Sequence, residues 1–279
     1  MQVLRNVFDF FIFSSLYIGI CAVIMVWQVN DLFNLSYNQP GFLLFVFSST
    51  ICSYNFHWLL TKESTQASVR LQWTMQHRSM HIVLIISSAI VAGYSGLLFL
   101  PWWPWFGLAA FLTFLYSAPK LPIKLSYLLR KIAIGKTLFL TFVWTYVTTV
   151  LPIILGATGF HYEQLLFCLG RFFLIYGICI LFDLRDREHD KAEGIRSLIT
   201  FLSESSVLKL FYVTMGLFII STVLLPVTLS TKIVLLLPGI ITLTLYRPNL
   251  EKQSDYYFYV LLDGLMMLSG LITLLRHEL

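Results

Sequence analysis

Residues 162–198 read YEQLLFCLGRFFLIYGICILFDLRDREHDKAEGIRSL, an apolar run that ends abruptly in a segment crowded with Asp, Arg, Glu, His and Lys. A hydrocarbon core about 30 Å thick takes about 20 apolar residues in a spanning helix. Residues 162–183 meet that length, and the charged residues that follow belong at a membrane surface. Laid along the rest of the chain, the same ruler gives nine such runs, at approximately 8–29, 41–60, 82–100, 103–118, 133–155, 162–183, 207–229, 231–246 and 256–275. The first run follows a single basic residue, Arg5, is longer than a signal-peptide core and has no small-residue cleavage site after it, so it reads as a retained helix. Pro101-Trp-Trp-Pro104 and Leu229-Ser-Thr-Lys232 predict tight hairpins between neighbouring runs.

Composition agrees. Of 279 residues, 58% are hydrophobic and 12% charged, against roughly 45–50% and 25% in soluble domains, which excludes a water-soluble globule. Cys21, Cys52, Cys168 and Cys179 fall inside apolar runs with no CxxC pair and read as small apolar residues, not as a disulfide framework or a zinc site. The formal charge of +5 is a matter of placement rather than of affinity for nucleic acid. With the N-terminus inside, 16 of the 19 Lys and Arg residues fall on the cytoplasmic side, as the retention of positive charge there requires. The longer polar segments, 61–81, 117–132 and 184–206, lie on that side too, and an odd number of helices puts the C-terminus outside. The expectation is an all-α, polytopic membrane bundle of about nine transmembrane helices, a single domain over residues 1–279 in contact with the lipid bilayer.

On a helix, Asp183, Asp186 and Asp190 stand at offsets of 0, 3 and 7 and share one face within about 60°. Like charges at such spacings repel, so the cluster makes physical sense where a hard divalent cation binds. Mg²⁺ takes one or two carboxylates and fills its shell with water and phosphate oxygens. The cluster is therefore a recipe for holding a diphosphate, with Arg185, Arg187, Lys191 and Arg196 beside it. The plainer reading of the same residues is a solvated juxtamembrane charge run held by salt bridges.

At Asp183, Asp186, Asp190, Gly194 and Ser197 the chain resembles the UbiA superfamily of membrane prenyltransferases, whose second aspartate motif reads DxxDxxxD followed by Gly and Ser or Thr. The form Asp-x-x-Asp-x-Glu-x-Asp-Lys-x-x-Gly-Ile-x-Ser is similar to the homogentisate-type and menaquinone-type branches. Leu115-Tyr-Ser-Ala-Pro119, followed by basic residues and Gly135, resembles the family's YSxP segment after its fourth helix. The resemblance implies a bundle of nine helices with a central cavity open to the cytoplasmic side. It implies a Mg²⁺-dependent transfer of an isoprenoid chain from a prenyl diphosphate to an aromatic or other lipid-soluble acceptor. Asp183, Asp186 and Asp190 would then hold the metal and carry the catalysis, with Lys120, Lys124, Arg130, Lys131 and Arg187 as candidate phosphate contacts.

The family's first motif, NDxxDxxxD, is altered here. The corresponding stretch is Asn55-Phe-His-Trp-Leu-Leu-Thr-Lys-Glu63, with Phe56 and Leu59 at two acidic positions. Asn55 and Glu63, about 80° apart on a continuous helical wheel, form a depleted second metal site, with Asn55 also placed to contact substrate. His57 beside Trp58 reads chiefly as a membrane-boundary residue. The missing carboxylates motivate an alternative, a catalytically inactive relative with a lipid-binding or partner-binding role. Asp263, deep in the last run, calls for a cavity or a cationic partner, for which Lys136 and Arg171 are the candidates.

Overall fold

A computed structural model describes residues 2–61, 68–117, 136–192, 198–246, 250 and 253–277. Within them every regular element is helical. The helices, in chain order, are α1 (Gln2–Phe13), α2 (Leu16–Phe33), α3 (Gln39–Leu59), α4 (Val69–Gln76), α5 (Arg78–Leu97), α6 (Trp103–Ser117), α7 (Lys136–Thr145) and α8 (Leu151–Gly156), then α9 (Tyr162–Ala192), α10 (Leu198–Phe201), α11 (Glu204–Leu224), α12 (Leu229–Leu245) and α13 (Asp263–His277). Seven stretches, 16–33, 39–59, 78–97, 137–156, 162–187, 204–224 and 257–276, are long and apolar enough to cross a membrane. The chain is thus built as a multi-pass helical membrane protein. A helix lies in each of the nine runs expected from the sequence, but α6 has 15 residues and α12 has 17, shorter than the seven and below the about 20 residues of an ordinary span.

The first run does not form one helix. Ser15 adopts the left-handed conformation with φ 69°, which separates α1 from α2, so the first span begins at Leu16 rather than near residue 8. Helix α1 is strongly amphipathic: Val3, Leu4, Val7 and Phe8 are exposed while Ile12 and Phe13 are buried. Its break is held from outside, because Asn55 Nδ2 donates to the Ser14 carbonyl at 2.9 Å.

Local chemistry accounts for the other boundaries. Asn38 caps α3 by accepting from Gly41 N at 3.1 Å, and Pro40 in the first turn has no N–H to leave unpaired. Ser203 and Thr228 cap α11 and α12 in the same way, each accepting an amide at 3.3 Å. The hairpin expected at 229–232 is therefore moved upstream, and Leu229 already opens α12. The connection at 101–104 is short, as expected, a single 3₁₀ turn over Leu100–Trp102 running into α6, but α5 packs chiefly against α3 and scarcely touches α6, so the two do not close a hairpin.

Two π-type turns interrupt the spans. Tyr146–Val150 precedes Pro152, which cannot donate to the carbonyl one turn back. Tyr257–Leu262 precedes α13, and there Tyr17 Oη of α2 donates to the Val260 carbonyl at 2.8 Å. A side chain that satisfies a helix carbonyl from outside lets the hydrogen-bond ladder slip by one residue. Glycines permit the closest helix approaches: a Cβ on Gly239 would collide with Phe218, and one on Gly264 with Tyr17.

Candidate functional site

Helix α9 runs unbroken to Ala192, so Asp183, Asp186 and Asp190 do lie along one face of one helix. Asp183 is 9% exposed and accepts a hydrogen bond from Thr137 Oγ1 of α7. Asp186 accepts two from its neighbour Arg185, from Nε at 2.7 Å and Nη2 at 3.2 Å. The Asp190 side chain lies outside the described residues, as do Glu63, Lys120, Lys124, Arg130 and Lys131, and Gly194 and Ser197 of the motif. The borders expected for a cytoplasmic cavity, 62–67, 118–135 and 193–197, fall outside them as well. Arg187 is turned towards the next elements, donating from Nη2 to the Leu202 carbonyl at 2.8 Å and pairing with Glu204 at 3.6 Å.

Around these aspartates the fold assembles residues from five other helical segments. Tyr259 is the hub. The Arg70 guanidinium lies 4.3 Å from the centroid of its ring and 4.3 Å from that of Trp58, in the corner formed by two rings whose planes meet at 80°. Arg185 reaches the same tyrosine from the α9 side, with Nη2 at 3.3 Å from Tyr259 Oη and its guanidinium 4.4 Å from the Phe258 ring. Asp255 ties the two arginines together: its Oδ2 accepts from the Arg70 backbone N–H at 2.8 Å, and its Oδ1 stands 3.9 Å from Arg185 Nη1. Burial pushes the Arg70 guanidinium below its ordinary pKa, while Tyr259 and Asp263 pull it back towards the charged form.

The segments singled out in the sequence also meet. His57, at the end of α3, stacks on Tyr116 at the end of α6, with centroids 4.9 Å apart and planes at 20°, and its Nδ1 lies 3.4 Å from Ser117 Oγ. His57 is therefore an interhelical contact and not only a boundary residue. Trp144 Nε1 donates to Tyr54 Oη at 3.0 Å, linking α7 to α3.

Asn55 departs from the role expected of it. Its two amide hydrogens go to the carbonyls of Ser14 and Ile51, at 2.9 and 2.8 Å, and its oxygen faces His81 Nδ1 at 2.5 Å. With 0% exposure it is a pin between three helices, and that is where its polar atoms are used rather than on a metal or substrate. The helical register drawn from Asn55 to Glu63 does not hold either, because α3 ends at Leu59. Of the two cations expected beside Asp263, the Lys136 side chain lies outside the described residues, and Arg171 donates elsewhere, to Gln28 and the Met266 carbonyl. Among the described residues, the charges within electrostatic reach of Asp263 are Arg70 and Arg185, with Tyr17, Cys21 and Tyr54 around it.

Among the described residues, no three His, Cys, Asp or Glu side chains form a group able to hold a metal ion. The donors there suit an anion better. Among the described residues, Arg70 Nε, Arg185 Nη1 and Arg187 Nε are buried and find no hydrogen-bond acceptor, an arrangement that natural proteins seldom leave uncompensated. Sequence reasoning missed Arg70, Asp255 and Tyr259. Arg70 counted only as topogenic charge, and nothing local marks Tyr259 as its partner. Comparison of the chain with protein-family models, with curated proteins and with solved structures finds no match in any of the three.

Proposed function

We propose that the chain is a membrane prenyltransferase of the UbiA type, with nine membrane helices, the N-terminus and the aspartates on the cytoplasmic side and the C-terminus outside. What carries the reading is the row Asp183, Asp186 and Asp190 on one uninterrupted helix, set beside buried arginine donors that find no acceptor among the described residues. A carboxylate offers about four lone-pair directions. Arg185 uses two on Asp186, which leaves that carboxylate capacity for Mg²⁺. Asp183, Asp186 and Asp190 would hold that ion, which would neutralise charge on the leaving diphosphate.

In such a transfer the allylic C–O bond of the donor breaks and diphosphate leaves. The allylic carbon bonds to the acceptor, which gives up a proton. Arg185 and Arg187 supply N–H groups to the diphosphate, and Lys120, Lys124, Arg130 and Lys131, which lie outside the described residues, are the further candidate phosphate contacts that the resemblance implies. Tyr54, Trp144 and Tyr259 offer ring faces to a developing carbocation and help to keep water from it.

The pinned Asn55 and the residues Phe56 and Leu59 favour a second reading, a UbiA-like protein without transferase activity that binds lipid or a protein partner. One experiment separates the two. Purified protein is incubated with Mg²⁺, a panel of prenyl diphosphates and candidate acceptors, and diphosphate release is measured alongside donor binding. The enzyme reading expects release that depends on Mg²⁺ and is abolished in Asp183→Ala. Donor binding that persists in Asp183→Ala, without release in either protein, would leave the second reading in its place.

A further inference from the structure

Arg171 lies inside the α9 span, about 14 Å along the axis from Tyr162, and is 4% exposed. Its Nη1 donates to the Met266 carbonyl at 3.1 Å and its Nη2 to Gln28 Oε1 at 2.7 Å. Ser269 Oγ donates to the same Gln28 oxygen at 3.1 Å. All of these partners are neutral. Among the described residues no carboxylate pairs with Arg171, and Asp263, buried in the last span, has Arg70 and Arg185 as its charged neighbours. A full positive charge thus sits within a spanning helix with no counter-ion, an arrangement of high desolvation cost.

Arg171 also lines a small cavity of about 20 Å³, room for a single compact ion, set among α9, α11, α12 and α13. Ser221, Thr222 and Ser269 are its other polar walls, and Phe167 and Leu235 are among its apolar ones. The Ser221 and Thr222 hydroxyls close on the carbonyls of Leu217 and Phe218, and a hydroxyl hydrogen turns readily to a better acceptor. A guanidinium has five N–H groups, of which two are engaged here.

The geometry points to this cavity as a binding site for a compact monovalent anion, either a free ion or the head group of an amphiphile whose tail lies along the apolar wall. The anion supplies the missing counter-charge. The site draws on no residue assigned to prenyl transfer and stands whether or not that reading holds.

The test uses the purified full-length chain in a non-ionic detergent, with gluconate as the starting anion, titrated separately with chloride and with laurate while thermal unfolding is followed. A ligand bound only by the folded state raises the midpoint in a saturable way, by about 5 °C at a hundredfold excess over its dissociation constant. That rise is expected with chloride if the anion is a free ion, and with laurate alone if it is an amphiphile head. Arg171→Gln is expected to abolish it. Ser221→Met, which fills the cavity and leaves the guanidinium and its neutral partners in place, is expected to abolish it as well, and decides the matter should Arg171→Gln fail to fold. No rise with either anion in the unmodified protein, or an equal rise in Ser221→Met, would overturn the proposal.

Discussion

The side-chain oxygen of Asn55 and the Nδ1 of His81 stand 2.5 Å apart, in the interior between α3 and α5. Because both Asn55 amide hydrogens are committed to backbone carbonyls, its oxygen is the acceptor. His81 Nδ1 must then carry the hydrogen, which leaves Nε2 as the bare nitrogen of the neutral ring. The pair, with the Ser14 carbonyl, locks the break between α1 and α2 to two spans.

Asn55→Asp tests that role against a metal-binding one. The substitution leaves the Ser14 and Ile51 carbonyls facing an oxygen that cannot donate. A loss of about 2–3 kcal/mol is expected, since buried polar groups left unpaired cost about 1–3 kcal/mol each and not every loss adds. Denaturation in detergent with and without Mg²⁺ reads it. Stabilisation of Asn55→Asp by Mg²⁺ beyond that of the unmodified protein would show that Asn55 stands at a metal site after all.

Asp186 is expected to matter for donor binding far more than for folding. Its carboxylate is 39% exposed and pairs with the adjacent Arg185, so screening by solvent limits its stability contribution to under about 1 kcal/mol. Asp186→Asn should unfold within that margin yet lose Mg²⁺-dependent binding of a prenyl diphosphate. Equal binding by the variant and the unmodified protein would remove Asp186 from the metal set.

The aromatic corner around Arg70 predicts a failure of charge-preserving substitution. Lys carries the same charge as Arg but no planar group to lay against the Trp58 and Tyr259 rings. Arg70→Lys should therefore destabilise by about 1–2 kcal/mol, as the loss of two desolvated cation–π contacts implies. Tyr259→Phe keeps the ring and removes the oxygen near Arg185, and should cost about 1 kcal/mol or less. Chemical unfolding of the three proteins side by side gives the order, and a Tyr259→Phe loss larger than that of Arg70→Lys would contradict it.

Ser15 gives the clearest backbone prediction. At φ 69° an L-residue bears a strain of about 1 kcal/mol or more that glycine does not. Ser15→Gly should leave stability within about 0.5 kcal/mol of the original, because the strain relieved is offset by the greater backbone entropy that glycine loses on folding, and the 3.4 Å contact from Arg70 Nη2 that it removes is weak. Ser15→Val should destabilise by about 2 kcal/mol, adding β-branching to the strain. Thermal unfolding of the two variants tests the contrast; equal midpoints would mean that the break between α1 and α2 is not under conformational strain.

The sequence by itself determined the class of protein, the position of most helices and the shared face of Asp183, Asp186 and Asp190. Each depends on local composition and on a period of 3.6 residues, and α9 runs through all three aspartates as the spacing required. Only the tertiary structure decided the rest. The apolar run 8–29 is broken by the backbone conformation of one serine, to which hydropathy is blind. The wheel from Asn55 to Glu63 assumed a helix that ends at Leu59. Arg70, Tyr259 and Arg185 are far apart in the chain and come together because burying each cation required aromatic faces from other segments, with Asp255 accepting from the Arg70 backbone and standing near the Arg185 guanidinium. Asp263 and Arg171, which the sequence offered as a pair, have separate surroundings, because partnership inside a bundle follows which helices pack together rather than the signs of the charges they carry.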